Sequence, residues 1–238
     1  MKPILIFLSL LSLNCAVHAQ QQFNFDDDLV YAIIKDPEGY ANLRQAPSVN
    51  APIITKVYNY SVFSCESNKT NWWKVLSIQT DGRNKSYWIE GYVHKSRVLI
   101  LSKWKAPSIK DGFKIIIKQA LFESKKHQLF YSQENPKENI KRELIKIDDK
   151  FFWGTDGEIP KEVISNVEVT TNDNNINIPK NAFDDLYEPN LKNINVCRGP
   201  DNTIYIRMDN SDGAGAYSVI WIIKDNKYYG RYVDDSMV

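Results

Sequence analysis

The 238-residue chain is poor in the residues on which most metal and nucleotide sites depend. It contains three His and three Cys and has no HExxH segment, so a zinc site is not indicated. No Gly-rich loop follows a strand-like run and opens a helix, which argues against nucleotide binding. Lys and Arg total 30 against 29 Asp and Glu, without the basic excess that nucleic-acid binders use against phosphates. We therefore expect no cofactor, no metal and no nucleic-acid partner.

Long apolar runs are also missing beyond the N-terminus, where residues 1–19 have the pattern of a secretory signal peptide. Lys2 supplies the positive charge, residues 4–13 are mainly apolar, and Val17 and Ala19 are small enough for signal peptidase. Cleavage after Ala19 is expected, which predicts a periplasmic or secreted protein. No later stretch approaches the ~20 apolar residues of a transmembrane helix, so no transmembrane segment is predicted.

Cleavage would remove Cys15 and leave Cys65 and Cys197. An exported compartment permits a disulfide between them, but they fall in different predicted domains. We favour two free, buried thiols, and the sequence leaves a bridge open. A catalytic pair of either Cys with His94 or His127 is a minority interpretation, because Cys197 lies at the end of a predicted strand and not at a helix start.

Aromatic residues are what the chain has in quantity, with 13 Tyr and 6 Trp, and they favour β-structure. Residues 29–101 show short alternating apolar runs between turns, typical of a small barrel. Residues 20–28 are a linker, and residues 102–112 are a connector. Residues 113–238 predict a β-sandwich or barrel-type domain with a few short helices. The predicted fold class is therefore all-β in two domains.

The second domain has nine predicted strands and three candidate helices that each begin near a Pro. The strands are at 114–120, 128–131, 143–147, 151–153, 167–170, 194–197, 203–208, 217–223 and 227–233, and the helices are at 136–142, 160–164 and 179–187. Residues 217–223 are apolar on both faces, as in a central buried strand, and residues 203–208 are amphipathic. The last two strands form a hairpin through Asp225 and Asn226.

Three segments of the first domain resemble the bacterial SH3 (SH3b) family in order and spacing. They are GYANLRQAP at 39–47, NWWKV at 71–75 and EGYVHKSRV at 90–98. The resemblance implies a small barrel and, most often, a cell-wall peptide as partner. At the closing segment, His94 and Arg97 stand where eukaryotic SH3 domains carry the Pro and Tyr that grip polyproline, so polyproline binding is not expected.

Within these segments, glycines and apolar residues are predicted to build the barrel. Gly39 and Gly91 suit tight turns. Core positions are expected at Leu43, Ile54, Val75 and Val93. Asn42 and Arg44 are expected to satisfy backbone groups and pair charges, not to touch a ligand.

Alternation along the strands then predicts a binding patch on the first domain. Trp73 shares a face with Val75 and is expected to point inward, which leaves Trp72 outside. Tyr40 follows the Gly39 turn, and Tyr92 lies opposite the face of its neighbour Val93. We predict that Trp72, Tyr40 and Tyr92 form one aromatic binding patch. The alternative, in which all three cap the barrel and bind nothing, stays open.

The sequence thus predicts an exported, non-enzymatic bacterial envelope protein whose SH3b-like module recognises a cell-wall peptide or an envelope protein. Two alternatives stay open: a periplasmic immunity or inhibitor-type protein, and a wall hydrolase whose catalytic residues are not recognised. The oligomeric state is not predicted.

Overall fold

The computed structural model describes residues 29–79, 86–103, 112–133, 142–172, 174–210 and 213–235. The predicted signal peptide, the linker at 20–28 and most of the connector lie outside these residues. The described chain is all-β: it contains sixteen strands and short 3₁₀ helices, with no α-helix among these residues. The predicted all-β class is confirmed.

Seven strands of the first half form one antiparallel sheet in the order β3-β2-β6-β5-β4-β1-β7. They are β1 Leu29–Ile34, β2 Tyr40–Arg44, β3 Ile53–Tyr58, β4 Val62–Glu66, β5 Trp72–Gln79, β6 Ser86–His94 and β7 Val98–Ile100. The 3₁₀ helices Lys95–Arg97 and Leu101–Lys103 flank β7. Alternate residues of these strands meet in a first core that includes Ala32, Leu43, Phe63 and Val93.

The positions predicted as barrel core and turns are mostly correct. Leu43, Val75 and Val93 are buried, but the prediction for Ile54 is wrong, because this side chain is 37% exposed on the edge strand β3. Gly39 closes a turn with φ +84° and donates its N–H to Asp36 O at 3.0 Å. Gly91 does not lie in a turn: it sits inside β6, where the side chain of Leu43 packs directly against it.

Nine strands of the second half form three antiparallel sheets, ordered β12-β11-β8, β13-β14-β15-β16 and β10-β9. They are β8 Lys114–Leu121, β9 Leu129–Tyr131, β10 Leu144–Ile147, β11 Glu162–Thr171, β12 Asn174–Asn177, β13 Ile194–Arg198, β14 Ile204–Asn210, β15 Tyr217–Lys224 and β16 Lys227–Asp234. The 3₁₀ helices are Ser124–Lys126, Lys180–Ala182 and Pro200–Asn202. The predicted hairpin is present, with Asp225 and Asn226 left-handed at φ 52° and 55°.

The three-stranded and four-stranded sheets face each other across a second core. Ile117 of β8 and Val169 of β11 pack there with Tyr217, Val219 and Trp221 of β15. The Trp221 indole N–H donates to Ala182 O at 2.8 Å, so even this fully buried ring has its polar atom satisfied. Because β15 is buried along both faces, the prediction of a central strand at 217–223 is confirmed.

The predicted helices are the main errors. Residues 160–164 enter β11 instead, where Glu162–Ile164 pair with the end of β8. Pro160 has a fixed φ that suits both the first turn of a helix and the residue before a strand. Its position therefore could not distinguish a helix from a strand at 160–164. In 179–187 only Lys180–Ala182 is helical, and 136–142 lies almost entirely outside the described residues.

Two strand predictions also differ from the structure. In the predicted strand 151–153, only Trp153 forms a bridge, an isolated one to Leu186. Strand β12 was not predicted, because its sequence NNIN is polar.

The four-stranded sheet also buries its other face, against the first half. Tyr31, Ile33 and Val62 pack there against Tyr205 and Ile222. The predicted amphipathic character of 203–208 therefore fails at Tyr205, which is 1% exposed because the first half covers it. The division of the chain at the connector stays a prediction, since described residues on its two sides share this junction.

We expect Gly91→Ala to destabilise the protein by about 1–3 kcal/mol, because it overpacks the first core. A Cβ at this position would lie 2.7 Å from Leu43 Cγ and 3.0 Å from Ile54 Cδ1. Gly213→Ala is the matched control, since a Cβ there meets no atom within 4 Å, and its effect should stay within about 0.5 kcal/mol. Urea unfolding measures both, and equal midpoints for the two variants would contradict the packing.

We also expect stability to fall above about pH 10. Burial raises the pKa of Tyr31, Tyr205 and Tyr232 above their ordinary value of 10.0. The unfolded state then releases protons that the folded state retains, so full stability holds below about pH 10 and each group removes up to about 1.4 kcal/mol per pH unit above it. Urea midpoints at about pH 8 and about pH 11 test this. The midpoint of Tyr232→Phe should decrease less between these two pH values than that of the unmodified protein. Equal midpoints at both pH values would refute it.

Candidate functional site

Two of the three predicted binding residues, Trp72 and Tyr92, lie on strands β5 and β6, whose alternation decides which side chains face outward. The register pairs Trp72 with His94 and Lys74 with Tyr92. These side chains therefore share the face opposite the first core, together with the alternate β6 residues nearer its start. We call this the β5–β6 face, defined by six side chains: Trp72, Lys74, Trp88, Glu90, Tyr92 and His94.

Trp73 takes the other side of β5, as the alternation predicts. Its ring packs against the first core beside the buried Val75. Its indole N–H donates to Asn68 O at 3.0 Å. Trp73 therefore anchors β5 on the first core, while its neighbour Trp72 stays on the outer face.

Trp72 and His94 form the first aromatic pair of the β5–β6 face. Their ring centroids are 5.3 Å apart in an edge-to-face arrangement, and both side chains are half-buried. His94 Nδ1 lies 2.8 Å from Ser96 Oγ, which fixes the imidazole orientation. This leaves the Trp72 ring held at its edge and partly open to a ligand.

Tyr92 occupies the middle of the face, between charged side chains on both neighbouring strands. On one side Lys74 Nζ donates to Glu90 Oε1 at 3.1 Å, and this hydrogen bond raises the pKa of Lys74. On the other side Arg44 pairs with Tyr92 across the strands and donates to Ala51 O at 2.7 Å. The Arg44 contact matches its predicted role, whereas Asn42 Oδ1 accepts no hydrogen bond among the described residues.

Trp88 is a functional candidate that the sequence reasoning missed. It pairs with Ser77 of β5 and is 61% exposed. The signal was available, because residues 88, 90, 92 and 94 alternate on one face of β6. Its exposure makes Trp88 the most accessible ring of the β5–β6 face.

Tyr40 is not brought to the other two predicted rings. It lies at the start of β2, and its ring packs edge-to-face with Tyr58 at 6.4 Å between centroids. Lys56 Nζ sits 3.7 Å from the centroid of the same ring. The structure thus places Trp72 and Tyr92 on one face of adjacent strands and gives Tyr40 a separate neighbourhood near the edge strand β3.

The residues considered for nucleophilic catalysis lie apart in different environments. Cys65 is buried in the first core and Cys197 is half-buried beside the junction, both as free thiols. Burial raises the pKa of the Cys65 thiol and raises that of Cys197 to about 12, which disfavours the reactive thiolate. His127 Nδ1 lies 2.7 Å from Asp148 Oδ2, and this hydrogen bond lowers the pKa of Asp148.

No family model, no curated protein and no solved structure matches this chain. The SH3b resemblance therefore rests on its three sequence segments. In the ranges that the structure covers, no helix is long and apolar enough to cross a membrane, and no group of three His, Cys, Asp or Glu side chains could hold a metal ion.

The two adjacent Trp residues should respond differently to truncation. Trp73→Ala removes a ring packed on the first core and should cost about 2–3 kcal/mol of folding stability. Trp72→Ala removes a half-exposed ring and should cost about 1 kcal/mol or less. Chemical denaturation of the two variants measures the difference. Equal losses would mean that Trp72 is a core residue and not part of a binding face.

Proposed function

We propose that this protein is an exported recognition module that binds an extended cell-wall peptide through the β5–β6 face. The observation that carries the proposal is the row of outward rings along one strand, Trp88, Tyr92 and His94, with Trp72 beside them. Tyr and Trp provide large contact areas at low entropic cost and are enriched at binding hot spots.

The length of the face suits an extended peptide. Residues 88 to 94 span six strand steps, which is about 20 Å at ~3.3 Å per residue. An extended peptide of about six residues has the same length. Rings at alternate positions of β6 would contact alternate side chains of such a ligand.

The charges on the face also suit a short peptide. Lys74 and Glu90 form an ion pair whose Glu90 side chain is 75% exposed, and Arg44 lies next to Tyr92. Both signs are therefore present beside the rings, so a peptide that carries carboxylates and a free amine finds partners for each. The predicted export signal and the SH3b resemblance of the sequence favour the wall as the source of that peptide.

Sedimentation with purified peptidoglycan tests the proposal. Trp88→Ala should weaken binding by about 2 kcal/mol or more, roughly 30-fold, while leaving the melting temperature nearly unchanged. Phe151→Ala is the matched control, because Phe151 is also an exposed ring, at 75% against 61% for Trp88, and lies outside the β5–β6 face. The control should sediment like the unmodified protein.

Four outcomes would overturn the wall-peptide proposal. The first two are failure of the protein to sediment with peptidoglycan, and binding of Trp88→Ala that equals that of Phe151→Ala. Retention of one soluble envelope protein, lost in Trp88→Ala, would replace the wall with a protein partner and favour the immunity or inhibitor interpretation. Release of soluble muropeptides on incubation would favour the hydrolase.

A further inference from the structure

A cleft of about 580 Å³ opens where three turns of the second half meet. The turns are residues 171–172 between β11 and β12, the 3₁₀ helix Pro200–Asn202 before β14, and the hairpin turn at Asp225 and Asn226. This volume falls in the range of about 300–1,000 Å³ that is typical of small-molecule sites. The cleft shares no residue with the β5–β6 face.

The lining of the cleft is set by residues in left-handed backbone conformations. Asn172, Asp201, Asn202, Asp225 and Asn226 have φ between 47° and 56°. Asn and Asp tolerate this conformation better than other residues with a Cβ, and their short side chains stay close to the turn. Three amides and two carboxylates are therefore held on tight turns around one space.

Contacts from neighbouring elements fix these turns. Thr171 Oγ1 donates to Asn226 Oδ1 at 2.7 Å, which ties two of the turns together. Lys35 Nζ and the Tyr60 hydroxyl both donate to Asp201 Oδ2, at 2.6 and 2.5 Å. These hydrogen bonds lower the pKa of Asp201 and keep its carboxylate ionised. The site is thus organised before any ligand arrives.

The charges around the cleft nearly cancel. Asp201 is paired with Lys35, and Asp225 accepts from Lys224 Nζ at 2.6 Å. Arg198 adds a cation to the lining, beside Asn202. A strongly charged ligand would meet unfavourable charges of its own sign here, whereas a neutral polar ligand would not.

The walls of the cleft carry both hydrogen-bond donors and hydrogen-bond acceptors. The oxygens of Asn202 and Asn226 accept bonds from Arg198 and Thr171, and their amide nitrogens donate none among the described residues. The carboxylates are acceptors and the guanidinium is a donor. A matching ligand must therefore donate and accept at closely spaced positions, and hydroxyl groups do both.

We propose that this cleft binds a neutral saccharide. Ring hydroxyls would accept from the Asn202 and Asn226 amides and from Arg198, and would donate to Asp201 and Asp225. Ile204 is the apolar residue of this lining, but at 3% exposed it belongs to the second core, so recognition of the sugar rests on the polar side chains. The proposal does not depend on peptide binding at the β5–β6 face.

NMR titration of the full mature chain tests it, with glucose, galactose, mannose, N-acetylglucosamine and its β-1,4-linked dimer as probes. Asn202→Gly and Asn226→Gly remove the amides but keep residues that accept a left-handed backbone. Asn226→Gly also removes the Thr171 hydrogen bond between two of the turns, whereas Asn202→Gly leaves it intact. Each lost hydrogen bond should weaken saccharide binding about fivefold. Asp149→Gly is the matched control, because Asp149 has φ 60° in a turn away from the cleft.

The expected result is a saturable shift of the Asn202 and Asn226 amide signals with at least one saccharide, weakened in both Gly variants and unchanged in Asp149→Gly. Preserved dispersion of the remaining signals would show that the variants are folded. The proposal is overturned if no saccharide produces a saturable shift, or if the Gly variants bind as tightly as the control. Inorganic phosphate shifting these signals while the saccharides do not would identify an anion site instead.

Discussion

Strand β15 has no polar face, so other parts of the chain must pack against both sides of its sheet. Tyr217, Val219 and Trp221 point into the second core, while Ile220 and Ile222 point into the junction with the first half. A sheet with two apolar faces must be covered on both sides, since apolar area left in water costs about 25 cal/mol per Å². The three-stranded sheet covers one side. Strand β1, itself buried on both faces, covers the other: one of its faces packs in the first core and the opposite face packs in the junction.

Polar groups inside the junction restrict how the two halves can pack against each other. The Tyr232 hydroxyl lies 2.8 Å from Asp234 Oδ2 and 3.0 Å from Ser77 Oγ, so it can donate to the carboxylate and accept from the serine of the first half. The Tyr31 ring packs edge-to-face on Tyr232 at 5.7 Å and lies 4.7 Å from the Arg207 guanidinium. Buried polar groups are costly without partners, so a shifted docking of the two sheets would lose these pairings. Apolar burial drives the contact, and the polar groups select its register.

Local sequence patterns predicted most of the strands correctly, but they did not predict the burial of Tyr205 on the second face of its strand. The hairpin at Asp225 and Asn226 follows from turn chemistry, and the central position of β15 follows from its unbroken apolar run. Tyr205 reads as a solvent-facing residue because alternation describes one strand and not what docks on it. For Trp72 and Trp73 the same alternation was sufficient, since a core lies on only one side of β5 at these positions. The separation of Tyr40 from Tyr92 depends on how β2 pairs with β3 and β6, and the sequence of β2 alone does not determine that pairing.

The junction also shapes the proposed recognition face. Strand β16 contacts both β5 and β6, so the second half covers the Ser77 part of the outer side of these strands and leaves the Trp72 and His94 part open. Trp88 pairs with Ser77 and therefore lies at the boundary between the covered and the open parts. The docking that β15 imposes therefore sets where the β5–β6 face ends, and the proposed recognition surface begins at Trp88.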